Sequence, residues 1–120
     1  MIPDYWIEFL NNNNLRNIEI EIPDEMDLSE LDGGGLKIFD EEGIFEESTK
    51  FYPGIAVKND GYLPIASCLQ GSGDPYFINC SEGPAGRLYR IYHDEVSDEG
   101  YTKEAVNIVL SNYEKLLELK

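Results

Sequence analysis

The chain has 120 residues, nine Lys and Arg against 24 Asp and Glu for a formal net charge of −15, and 42% hydrophobic residues that include eight Tyr and five Phe. A single domain over residues 1–120 follows, since a chain of this size buries roughly two-thirds of its unfolded surface without disulfides or metal, and the aromatic content excludes a disordered tail. Fourteen acids and three bases fall in residues 1–50; a field of that sign repels phosphates and anionic lipid, so nucleic acid and membrane surfaces are not expected as partners, and the acidity serves either a basic protein partner or solubility alone.

Met1-Ile2-Pro3-Asp4 opens acidic and polar rather than as a leader, and no apolar run approaches the roughly 20 residues of a membrane span, so a cytoplasmic protein is expected. Pro3 to Leu10 places Tyr5, Trp6, Phe9 and Leu10 along one helical face, and the four asparagines from Asn11 to Asn14 are expected to stop that helix. Ile18 to Ile22 alternates strictly with glutamates and predicts a strand with one wet face. Pro23 to Gly35 predicts a polar loop. Its Asp27, Ser29 and Asp32 fail the spacing of a calcium loop, because Asp32 stands where glycine is required and Ile38 where the bidentate acid belongs. Leu36 to Phe39 predicts a second strand.

Asp40, Glu41, Glu42, Glu46 and Glu47 surround Ile44 and Phe45. Carboxylates bracketing two large apolar residues suit either a solvated edge or an apolar anchor with a charged rim, and Asp40, Glu41, Glu42, Phe45, Glu46 and Glu47 are the candidate partner contacts. Phe51-Tyr52-Pro53-Gly54 predicts a turn, and Ile55-Ala56-Val57 a short strand. The centre of the chain, Leu63 to Asp94, reads as the sheet core: apolar runs Leu63 to Leu69, Tyr76 to Ile78 and Arg87 to Tyr92, separated by glycine, proline and aspartate. Gly71-Ser72-Gly73-Asp74 predicts the reversal between two central strands, and Asp74-Pro75 restarts the chain in extended form. Cys68 and Cys80 lie in or beside apolar runs without CxxC spacing and read as reduced core thiols.

His93 is the only histidine. Its adjacency to Asp94 supplies no catalytic geometry if both lie on a strand, whose neighbouring side chains point to opposite faces, and too few ligands accompany it for zinc. No catalytic residue, metal or cofactor is expected. From Thr102, a candidate cap, Val106, Val109, Leu110, Tyr113, Leu116 and Leu117 recur at three- and four-residue steps and predict a closing amphipathic helix. The fold expected is α+β, a mixed but mostly antiparallel sheet flanked by N- and C-terminal helices.

The order Leu63-Pro64-Ile65-Ala66, Gly71 to Asp74 with Tyr76-Phe77-Ile78, a strand through Tyr92, His93-Asp94 and a closing helix resembles the SUKH superfamily, with the likeness best from Tyr52 to Leu117. The residues that carry the likeness are Pro64, Ala66, Gly71, Gly73, Asp74, Tyr76, His93 and Asp94, and Ile2 to Leu10 is similar to the Leu-Pro-x-x-Tyr-x-x-Phe-Leu segment of that family. That superfamily joins a fungal cell-wall-synthesis regulator domain to many bacterial immunity proteins. The resemblance implies a mixed sheet with flanking helices and no catalytic site. It also implies a protein that binds and neutralises a cognate polymorphic toxin, a nuclease being one candidate, through an acidic surface. A regulatory or scaffold domain without a toxin partner, a His93-dependent enzyme and a self-associating structural subunit are the rival readings.

Overall fold

Pro3, with extended backbone, starts the first element in a computed structural model that describes residues 1–29, 34–70 and 74–120. This is α1 (Asp4–Asn13), with Asp4 in its first turn, where a carboxylate suits the helix dipole. The helix ends three residues beyond Leu10, inside the asparagine run. There Asn14 takes the left-handed conformation (φ 53°, ψ 52°) and donates its N–H to the Leu10 carbonyl. Trp6 and Leu10 point inward and are fully buried.

Among the described residues six strands follow: β1 (Glu19–Glu21), β2 (Gly35–Ile38), β3 (Tyr62–Cys68), β4 (Tyr76–Asn79), β5 (Leu88–Ile91) and β6 (Val106–Leu110). They form one sheet in the order of the sequence, every pair antiparallel, so the mixed sheet expected from the sequence gives way to an antiparallel meander. Helices α2 (Glu41–Thr49) and α3 (Gly54–Val57) stand between β2 and β3. The segment after β1 swings to the far edge, where the Leu28 N–H donates to the Val109 carbonyl at 2.9 Å. The Gly71 to Gly73 part of the expected reversal and residues 30–33 of the expected loop, Asp32 included, lie outside the described residues.

Two expectations fail on packing. The apolar repeat from Val106 belongs to no long helix: Lys103–Ala105 and Tyr113–Glu118 are 3-10 turns, and Val106–Leu110 is a strand. Val106, Ile108 and Val109 are β-branched and favour the pleated form, and β5 offers them a free edge, with Tyr89 opposite Ile108 and Arg90 opposite Asn107. Thr102 accordingly makes no side-chain cap, whereas the Asn112 side chain accepts from the Glu114 N–H at 2.8 Å and starts the last turn. Residues 55–57 are helical rather than extended, because β3 already has β2 and β4 on its two edges. Gly54 also lies so close to α2 that a Cβ would stand 2.1 Å from the Glu47 carbonyl oxygen.

The sheet packs on both faces. The larger core joins Trp6 and Leu10 of α1 to Ile38, Ile65, Ile78 and Leu110 of the strands. Trp6, Phe9 and Tyr113 interlock at ring separations of 4.9–5.2 Å, two of the three contacts edge-on. The smaller core, on the other face, gathers Phe77, Tyr89 and Ile91 under Val57, Val96 and Ala105. Register shifts at Pro64/Ala66 and Leu88/Tyr89 leave Ile65 of β3 and Val109 of β6 as the extra residues, so Ile65 and Ala66, and likewise Val109 and Leu110, both face the larger core. Cys68 and Cys80 form no disulfide and are half-buried at the margin of the larger core. Among the described residues no helix is long and apolar enough to cross a membrane.

Candidate functional site

The acidic segment after β2 folds as α2, which sorts the six candidate contacts by direction. Ile44 and Ser48, four residues apart, are its buried face. Asp40 is the N-cap, its carboxylate accepting from the Gly43 N–H at 2.9 Å. Glu41 takes both arms of Arg16, with Nε to Oε1 at 2.6 Å and Nη2 to Oε2 at 2.8 Å, and that bonding holds its pKa below the usual carboxylate range. Glu47 lies half-buried at a small cavity beside Ser67, Cys68 and Pro75, and burial, aided by Glu46, pushes its pKa up.

Glu42, Phe45 and Glu46 remain, with Thr49 completing an i, i+3, i+4, i+7 stripe on the outward face of α2. Phe45 is 53% exposed, and Phe51 and Tyr52, in the connection to α3, are 51% and 46% exposed. Three aromatic rings within eight residues are thus open, and Phe45 shares its helix face with the carboxylates of Glu42 and Glu46. Sequence reasoning missed Phe51 and Tyr52 because they sit beside Pro53-Gly54 and read as a turn; the available signal was two aromatics with no apolar repeat to bury them.

The residues singled out around the sheet centre are brought together only in part. Pro64 and Ala66 are buried on β3, and Tyr76 lies between Ala66 and Arg90 in the register, fully buried, with the Arg90 guanidinium 5.5 Å from its ring centre. Burial pushes the Tyr76 hydroxyl up to about 12. Asp74, just before β4, accepts from the His93 backbone N–H at 2.9 Å and meets its Nδ1 at 2.7 Å. His93 and Asp94 lie on a 3-10 turn rather than a strand, and this reverses the expectation that they point apart: Nε2 of His93 stands 2.9 Å from Asp94. The bond to Asp74, then the nearby Asp94 charge, raise the His93 pKa against a lowering by burial. Gly71 and Gly73 lie outside the described residues. Among the described residues no group of three or more His, Cys, Asp or Glu side chains is arranged to hold a metal.

Comparison with family models, with curated proteins and with solved structures found no match.

Proposed function

We propose that this chain is a non-catalytic, SUKH-like protein-binding domain, an immunity protein that occludes a basic toxin domain through the outward face of α2. The observation that carries the reading is the exposure of three aromatic rings within eight residues, Phe45 on the same face of α2 as Glu42 and Glu46, and Phe51 and Tyr52 just after that helix, on a chain of net charge −15. Charge complementarity of this kind accelerates encounter, and an aromatic anchor slows release.

The test is capture with the tagged chain from its native cells at low salt, followed by co-expression of each captured basic protein in a host that it kills. Support requires a partner whose toxicity the wild-type chain suppresses and Phe45→Ala with Glu42→Lys/Glu46→Lys does not. Phe45→Ala should raise the dissociation rate by roughly 30-fold, the size of an interface hot spot. The double charge reversal should slow association about tenfold at low salt, with the difference closing as salt rises. A partner bound equally by wild type and variants would overturn the placement on α2. A partner that is not toxic would turn the reading toward a regulatory domain.

A further inference from the structure

The smaller core does not cover the whole of its face of the sheet. Between the turn that leads into β3 and the segment that leads into β6 lies an open groove of about 410 Å³, within the size range of ligand sites. Its floor is Tyr62 of β3, Tyr89 of β5 and Ile108 of β6; Asp60 and Tyr101 form the walls and Lys103 stands at the rim. Tyr62 and Tyr89 meet edge-to-face at 5.4 Å and 88°. The Tyr101 hydroxyl donates to Asp60 at 2.5 Å, and the Tyr89 hydroxyl donates to Glu82. Burial first, and the carboxylate second, push Tyr89 up to about 12, and the same two causes raise Tyr101. Both therefore remain phenols that lean their electron density back into the ring.

We infer that this groove receives the side chain of an arginine from a basic protein segment. A guanidinium is flat enough to lie on a tyrosine face, is attracted by the ring quadrupole and is the more common partner in such contacts. The Asp60 carboxylate accepts from Tyr101 on one oxygen, and its other oxygen can accept a guanidinium N–H. Asn79 is committed locally, its amide donating to the Asp60 carbonyl at 3.2 Å and its oxygen accepting from Ser81, so it shapes the wall instead of choosing the ligand. Gly61 keeps this corner tight: its φ is +93°, and a Cβ there would stand 2.8 Å from the Asn79 oxygen. The inference rests on the proposed function only for the partner's basic charge, and it names a contact region separate from α2.

Lys103 makes the inference testable by sign. It is the sole cation among the described lining residues and is exposed, so its replacement alters the field without touching the core. The experiment is a titration of the ¹⁵N-labelled full chain with capped tetra-arginine, and with capped tetra-glutamate in parallel, at two salt concentrations. Saturable shifts at Tyr62, Tyr101 and Ile108 are expected with the arginine peptide alone, persisting at the higher salt. Lys103→Glu should tighten that binding about threefold or more, and Tyr101→Ala should weaken it by about tenfold. Lys103→Glu weakening the arginine peptide, tetra-glutamate shifting the same amides, or shifts that spread over the acidic surface and vanish with salt would each overturn it. Phe45→Ala should leave the groove shifts intact, so failure of the α2 reading and failure of the groove are told apart.

Discussion

Ile108→Ala separates a closing strand from a closing helix by the sign of its effect. In a helix the change is favourable, because alanine exceeds isoleucine in helix propensity by a few tenths of a kcal/mol. On β6 Ile108 is 41% exposed and stands opposite Tyr89, so the substitution removes a β-branched side chain from an outer strand together with one cross-strand contact. Strand preference and the lost pair together are worth about 1 kcal/mol. With a urea dependence of about 2 kcal/mol/M for a chain of this size, the unfolding midpoint should fall by about 0.5 M at unchanged slope. Urea unfolding followed by tyrosine and tryptophan fluorescence reads this directly. Ile108→Thr, which keeps the branch, should lose less than Ile108→Ala. A midpoint unchanged or raised in Ile108→Ala would refute the strand.

Gly54→Ala drives a methyl into the Glu47 carbonyl and should cost about 1–3 kcal/mol, read as a lower melting temperature. His93 has a raised pKa in the folded chain, so its stabilisation is fully present below the unfolded value near 6.5 and is lost as pH rises through the folded value. Melting temperatures of His93→Gln and wild type measured from pH 5 to 9 should therefore differ most at the acidic end, and a gap that widens with pH would contradict the Asp74–His93–Asp94 arrangement. Glu41→Gln breaks the Arg16 pairing, which is partly solvated, and should leave both toxin suppression and the response to tetra-arginine unchanged. Lost suppression in a folded Glu41→Gln protein would return Glu41 to the binding surface.

Where the sequence carried a single signal, the fold was legible in it. Ile18 to Ile22 alternates apolar with acidic residues, and only a half-buried strand fits that pattern; Leu36 to Phe39 and Tyr76 to Ile78 are bounded by turn residues on both sides. Val106 to Leu117 carried two signals. Its apolar spacing fits a helix, its β-branched residues fit a strand, and the decision came from the open edge of β5, a partner that local sequence does not display. The candidate surface divides in the same way. Charge marked residues 40–47, but cap, ion pair and solvated rim are alike in composition and differ only in direction, so Asp40, Glu41 and Glu42 became distinct once α2 existed. The tyrosine groove joins residues from four parts of the chain, and no window of sequence contains it.

The meander order has a consequence for how the chain is made. Each strand pairs with the one synthesised before it, so a growing polypeptide can lengthen the sheet one hairpin at a time behind the ribosome. The first helix cannot finish so early, because Trp6 and Phe9 complete their packing only against Tyr113, and Asn13 receives Lys120 from 107 residues further on. Until then the nascent sheet carries an uncovered apolar face and an unpaired leading edge, which neighbouring chains on one messenger could pair with. The fourteen acids in the first 50 residues emerge before β3 to β6, and like charge of that density repels neighbouring chains.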